Sequence, residues 1–259
     1  MFEKRKPIFT KGRILKNEML ESLRDFPRNV TDIFLTSQKE GVISGFELTV
    51  DDTDITIAPG IVKYQDEILV LDESLKIPYV STGNEQILKL HYQDKYQTSD
   101  FEGRIVNVVL EENECNQSNE IELARFRLSQ GAYLRLNYQD LEDFKTGHNT
   151  LNIVNQPYSS VSGSTLNPII LQYFARELLK YKTENVHDLA IIYQVLNQNV
   201  SISKELLVNY IKIRLKEGNM KHVTNEALHK GLSYILKKAK LEESGSKRSL
   251  GDNRRLIVD

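Results

Sequence analysis

The sequence is poor in the residues that mark several classes of protein. It holds one cysteine, Cys115, and no tryptophan. A lone cysteine excludes a disulfide framework within the chain. No stretch approaches the roughly 18 apolar residues of a membrane-spanning helix, and no apolar segment follows the charges at the start of the sequence, as one does in a signal peptide. We therefore expect a chain that folds in the cytoplasm without membrane insertion.

Neither sign of charge is in large excess. The 34 lysine and arginine residues nearly balance the 36 aspartate and glutamate residues. Proteins that wrap nucleic acid or coat an anionic membrane usually show a basic excess, so the balance predicts neither kind of partner. A hydrophobic content of 40% predicts an ordered core rather than wholesale disorder.

Motifs for common catalytic chemistry are missing as well. The chain has no P-loop, no G-x-G-x-x-G, no H-E-x-x-H, no G-x-S-x-G and no paired C-x-x-C. Cys115 follows Glu111, Glu112 and Glu114, and nearby carboxylates raise the pKa of a thiol, which is the wrong direction for a nucleophile. The sequence therefore predicts no catalytic residue, no cofactor and no enzyme.

Two groups of potential metal ligands fit other roles better. Asp51, Asp52 and Asp54 lack the glycine and glutamate that complete an EF-hand loop, and aspartate is common in β-turns because its side chain bonds to the nearby backbone. His222 and His229 have no third ligand in sequence reach. We expect a turn at the first group and no metal at either.

The pattern of apolar residues changes from helical to strand-like near the start of the chain. Residues 13–26 carry apolar side chains at helical spacing, and Pro27 is expected to end this helix. From Gly41 to Leu128 short alternating runs are separated by turn residues such as Pro59. Many short strands of this kind predict an antiparallel β-sandwich or a small barrel.

The second half of the chain has helical patterns instead. Residues 138–164 lose the strand pattern, and Asn, Gln, Ser and Gly dominate 149–164, so this segment predicts a linker or an ordered loop against a neighbour. Residues 165–241 carry four apolar stripes, the first opened by the N-cap Asn167, and predict a small helical bundle. The polar residues 242–259 predict a flexible tail. The sequence thus predicts an α+β protein whose β-rich domain, 1–137, carries an N-terminal arm and a short helix.

Two groups of segments carry a resemblance to a known family. The first group is FTKGRIL at 9–15, GVISGFEL at 41–48 and IAPGIV at 57–62, and the second is EIELARFRL at 120–128. The first resembles the opening of baseplate and fibre-attachment proteins in contractile phage tails and related injection systems. The second is similar to the strand that closes their N-terminal β-domains. In outline, the N-terminal half resembles the shell-domain region of the type VI secretion baseplate protein.

The resemblance implies a structural component that connects fibres or neighbouring subunits to a particle by protein–protein binding. Its partners would be other baseplate or tail-fibre proteins in homo- or hetero-oligomers, within a virion or a released particle. The residues that we expect at the docking contact are Ile8, Phe9, Gly12, Ile14, Leu15, Gly41 and Gly45.

Other interpretations of the sequence stay open. The chain fits a module that binds carbohydrate or protein at a cell surface, with Tyr92, Tyr96 and Phe101 as its aromatic contacts. A hydrolase with carboxylates that meet only in the fold is a third interpretation. The N-terminal helix either packs on its own β-domain or supports an arm, the residues before Gly12, that docks on a neighbouring subunit.

Overall fold

The computed structural model describes residues 5–116, 118–198, 201–216 and 223–252, with side chains up to residue 243. Within these ranges it has nine strands in three antiparallel sheets and six helices, and five of the helices follow the last strand. The predicted α+β class is confirmed. Contacts along the chain divide it into two units, Met1–Gln38 and Lys39–Asp259.

The N-terminal unit contains one helix, α1 (Asn17–Leu35), and no side chain of this helix is buried. The prediction that Pro27 ends the helix is wrong, because α1 continues through it. Proline removes a single backbone hydrogen bond, the one to the carbonyl of Leu23. The helical spacing of apolar residues runs on beyond Pro27 to Val30 and Ile33, so the same amphipathic face continues.

The second unit begins with the three sheets. The strands are β1 (Gly41–Gly45), β2 (Leu48–Val50), β3 (Asp54–Ile57), β4 (Gly60–Tyr64), β5 (Glu67–Leu71), β6 (Leu75–Pro78), β7 (Glu85–Gln97), β8 (Glu102–Glu111) and β9 (Glu120–Arg127). The sheet orders are β1-β4-β5, β2-β3-β6 and β8-β7-β9. Alternate residues of β3 and β4 are buried, as the period of two predicts.

Residues 138–164, predicted as a linker, contribute to the core of this unit. A short helix, α2 (Asp143–Thr146), is followed by buried Leu151, Val154 and Tyr158. The backbone of Asn152 exchanges hydrogen bonds with Arg125 of β9 at 2.8 and 2.9 Å. Whether the two predicted domains can be separated at this segment stays a prediction.

Four helices complete the unit: α3 (Pro168–Lys180), α4 (Val186–Leu196), α5 (Lys204–Leu215) and α6 (Asn225–Asp252). The side chain of Asn167 accepts a hydrogen bond from the N–H of Ile169, which confirms the predicted N-cap. In the segment predicted as a flexible tail, the backbone is helical as far as Asp252, and residues 253–259 lie outside the described residues. Buried Phe174 and Leu232 belong to one hydrophobic core that also includes Val42 of β1.

Candidate docking surface

Five of the seven predicted docking residues lie in one exposed segment ahead of α1. Ile8, Phe9, Ile14 and Leu15 are 61%, 56%, 81% and 55% exposed. The N–H of Arg13 donates to the carbonyl of Thr10 at 3.1 Å, which makes a turn around Gly12. Gly12 has a φ of +84°, a conformation that glycine adopts without strain. The segment therefore presents two apolar pairs on either side of a tight turn.

The exposed apolar surface continues along α1. Its most exposed members are Ile33 and Phe34, at 76% and 77%. The other exposed large apolar side chains of the helix are Leu20, Leu23, Phe26 and Val30. Several large apolar side chains exposed along one helix are typical of an interaction site. The predicted helix end at Pro27 left out the second half of this surface, although Val30 and Ile33 continue the helical spacing of apolar residues.

Gly41 and Gly45, the other two predicted docking residues, belong to the second unit and shape its backbone. Gly41 is buried at a φ of +131°, and a Cβ there would lie 2.6 Å from the carbonyl oxygen of Pro157. A Cβ on Gly45 would lie 2.1 Å from the carbonyl oxygen of Pro59. Both positions are too crowded for a side chain. The part of both glycines in docking stays a prediction.

The three aromatic residues of the cell-surface interpretation are in different environments. Tyr92 is buried and stacks on Tyr64 with ring centroids 3.9 Å apart, and burial raises its pKa above the ordinary value. Tyr96 and Phe101 lie at the far end of the β7–β8 hairpin and are 43% and 73% exposed. Tyr96 pairs with Gly103 across the hairpin. Only Tyr96 and Phe101 are thus available to a ligand.

A shallow apolar cleft of about 180 Å³ lies between the β1-β4-β5 and β8-β7-β9 sheets. It is lined by Phe46, Val62, Leu69, Val70, Leu71, Leu90, Arg104, Val106 and Val108. The Arg104 guanidinium donates to Glu67 at 2.7 Å and lies over the ring of Tyr64 at 5.0 Å. The cleft was not predicted, because it depends on how two sheets that are distant in sequence pack together.

Asp51 and Cys115 lie in distinct local environments. The Asp51 carboxylate accepts hydrogen bonds from the N–H groups of Thr53 and Asp54 at 2.9 and 2.8 Å, so the predicted turn is confirmed. Burial, followed by the charge of Glu122, raises the pKa of the Cys115 thiol to about 11. The direction agrees with the prediction, but its main cause is burial and not the glutamates that precede Cys115 in the sequence.

The imidazole Nε2 of His229 bonds to the carbonyl oxygen of Leu141 at 2.7 Å, and burial lowers its pKa. The other histidine of the proposed pair, His222, lies outside the described residues. Over those residues no cluster of three or more metal-binding side chains is present. No helix in the described part of the chain has the length and apolar character that crossing a membrane requires.

Comparison with known proteins gives structural likenesses alone. No protein-family model matches the chain, and no curated protein matches it. The chain is similar to a crystal structure of TssK, with a TM-score of 0.45 and 9% identity over 93% of this chain and 72% of that one. It is also similar to a chain of the type VI secretion TssK-TssF-TssG baseplate subcomplex, with a TM-score of 0.41 and 11% identity over 92% and 99% of the two chains.

A third likeness is to a chain of the baseplate complex from the type VI secretion system. Its TM-score is 0.32, with 10% identity over 91% of this chain and 100% of that chain. With TM-scores below 0.5 and identities near one in ten, these likenesses establish neither the family nor the function of the chain.

Proposed function

We propose that this chain is a structural component of a phage tail-like baseplate and that it joins neighbouring subunits through its N-terminal segment. The observation that carries the proposal is the exposure of Ile8, Phe9, Ile14 and Leu15 around one turn. A large apolar side chain contributes about 1.5–3 kcal/mol when a partner removes it from water. The resemblance of the segment at 9–15 to fibre-attachment proteins supports the same assignment.

The charges around this segment indicate the chemistry of its partner. Residues 1–16 include six lysine or arginine residues and one glutamate. A surface complementary to this segment has an apolar pocket for Ile8 and Phe9 and an acidic rim for the basic residues. Because salt screens exposed charges over roughly 8–10 Å at physiological ionic strength, we expect docking to weaken as the salt concentration rises.

The test is incorporation of the full-length chain into particles. Tail-like particles are sedimented from producing cells, and the chain is quantified in them by mass spectrometry. A double variant, Ile8→Asp with Phe9→Asp, replaces two exposed apolar side chains by charges that an apolar pocket rejects. We expect it to fold normally by circular dichroism and to be depleted from the particles by at least about tenfold, which corresponds to roughly 1.4 kcal/mol.

The control is Val80→Asp. It places a carboxylate at an apolar position of the second unit where the wild-type side chain is 67% exposed. The control is expected to enter particles like the wild type. Normal incorporation of the Ile8/Phe9 variant would show that the docking contact lies elsewhere on the chain. Absence of the wild-type chain from every particle fraction would overturn the baseplate role itself.

The exposure of Tyr96 and Phe101 favours one second candidate, a module that binds carbohydrate or protein at a cell surface. Exposed aromatic rings supply stacking surface for sugars and peptides. In the same experiment this candidate predicts a chain that is missing from particles yet binds isolated cell-surface polysaccharide, and that loses this binding in a Phe101→Ala variant.

A further inference from the structure

We infer that α1 is a self-association helix, which packs in parallel against α1 of a second copy of this chain. This inference goes beyond the docking role proposed above and does not depend on it, because it concerns contacts between copies rather than contacts with the baseplate.

The spacing of apolar residues along α1 supports the inference first. Met19, Leu23, Phe26, Val30 and Ile33 follow one another at intervals of four, three, four and three residues. This is the heptad spacing that keeps one face of a helix against a partner helix. We call these five residues the α1 seam. Four of them are exposed and Met19 is half-buried, so most of the seam still faces solvent within one chain.

The residues beside the seam make it wider without adding charge. Leu20, Pro27 and Phe34 follow seam residues on one side, and Ser22 and Asn29 lie on the other. The charged residues of the helix occupy the remaining positions, on the opposite face: Glu18, Glu21, Arg24, Asp25, Arg28 and Asp32. An apolar stripe this broad is typical of a helix covered along its whole length.

The distribution of charge favours a second copy as the partner. In a parallel pair of identical helices each seam residue meets its own counterpart, so a charged seam would bring like charges together. The seam and both flanks of α1 carry no charge, and this repulsion does not arise. Charged flanks are how coiled coils select a particular partner, and α1 has none that would direct it to a different chain.

The helix also needs a covering partner for its stability. A helix of 19 residues is marginal in water when no packing supports it, and an internal proline costs about 3 kcal/mol more. Pro27 lies within α1, none of whose side chains is buried. Burying the seam against a second copy supplies the missing packing. The segments ahead of α1 then leave the pair at the same end, which presents Ile8 and Phe9 in more than one copy.

The test measures the mass of the full-length protein by analytical ultracentrifugation over a range of concentrations. We expect the wild type to reach a multiple of 29.9 kDa. Leu23→Lys with Val30→Lys places two charges in the seam, and we expect the dissociation constant to rise by about tenfold or more for each residue. Asn17→Lys with Thr31→Lys adds the same charge outside the seam and its flanks and is expected to leave the mass unchanged.

Disulfide trapping covers the case in which the lysine variant loses its helix. In a Cys115→Ser background, Val30→Cys is expected to form a homodimer on oxidation, because a parallel seam brings identical positions together. Thr31→Cys, which lies outside the seam, is the control and is expected to stay monomeric. A wild type that is monomeric at every concentration, an oligomer that survives the seam lysines, or equal cross-linking at both cysteines overturns the inference.

The Ile8/Phe9 variant separates the two proposals. It is expected to keep the wild-type mass even where it fails to enter particles, since its substitutions lie outside the α1 seam. A variant that loses self-association together with incorporation would instead mean that the N-terminal segment is itself the contact between copies, which also overturns the seam assignment.

Discussion

At the scale of single residues, two glycines with the same backbone angle allow the cost of a close contact to be separated from the cost of the angle. Gly45 and Gly83 both have a φ of +76°. A Cβ on Gly83 meets nothing within 4 Å, whereas one on Gly45 would lie 2.1 Å from the carbonyl oxygen of Pro59 and 2.5 Å from the Cα of Gly60. The crowding atoms belong to the backbone, so they cannot move aside as a flexible side chain does.

We therefore predict that Gly45→Ala destabilises the fold far more than Gly83→Ala. The left-handed angle costs about 1–2 kcal/mol in either variant, and forcing an atom into a packed site adds about 1–3 kcal/mol at Gly45 alone. Urea unfolding of both variants gives the difference in the free energy of unfolding. Equal losses in the two variants would show that the strand ends near Gly45 relax, and would contradict the geometric account.

At the scale of elements, a buried carboxylate ties three helices together. Asp188 of α4 is fully buried and accepts hydrogen bonds from the Tyr210 hydroxyl and the Arg214 guanidinium of α5, both at 2.9 Å. The second oxygen of Asp188 accepts from the Thr183 hydroxyl at 2.8 Å. Arg214 also pairs with Glu242 of α6 at 2.7 Å. This network links α4, α5 and α6 through one guanidinium.

Replacing the buried partner of Arg214 is expected to cost much more than replacing the half-exposed one. Asp188→Asn leaves the buried guanidinium without its buried counter-charge, and we predict a loss of about 3–5 kcal/mol in the free energy of unfolding. Glu242→Gln removes a pair whose carboxylate is 50% exposed, and we predict a loss of about 1 kcal/mol or less. Chemical denaturation of both variants checks this order, and a larger loss in Glu242→Gln would reverse it.

The elements that the sequence predicted well are those whose pattern depends on local chemistry. The strands from Gly41 to Arg127 follow from alternating apolar residues, and the start of α3 follows from the capping residue Asn167. The stop at Pro27 was wrong, since α1 continues to Leu35 and keeps its helical spacing of apolar residues beyond the proline. The exposed segment at Ile8 and Phe9 was also predictable as a candidate site, because its apolar residues are neighbours in the sequence.

The segment 138–164 was harder to interpret because its polar residues are used inside the fold. Composition suggested a linker, yet the Asn152 side chain accepts from the N–H of Val154 at 2.9 Å and the Ser160 hydroxyl donates to the carbonyl of Gly163 at 2.6 Å. Asn167 donates to Gln156 at 2.6 Å. Polar residues can hold a compact loop as well as solvate an open one, and composition does not separate the two cases.

At the scale of the whole molecule, the sequence prediction and the observed contacts divide the chain at different places. The sequence predicts a boundary between about 137 and 165. The contacts divide the chain after Gln38, and one hydrophobic core contains residues on both sides of the predicted linker, such as Val42 and Leu232. Local opening is rare where buried apolar contacts are dense. The site of first proteolysis therefore reports which division the protein follows in solution.

Limited trypsin digestion followed by mass spectrometry makes the comparison with sites that the chain already has. Lys11 and Lys16 are exposed in the irregular segment ahead of α1, and Lys145 is exposed at the end of α2. Lys145 lies next to backbone that is held by buried Asn152, whose amide donates to the Lys145 carbonyl at 3.2 Å. We predict that the first cuts fall before residue 39 and leave a fragment that is intact across 138–164. A first cut at Lys145 would support the two-domain division instead, because proteases cut locally unfolded chain and a core that is continuous through this segment opens rarely.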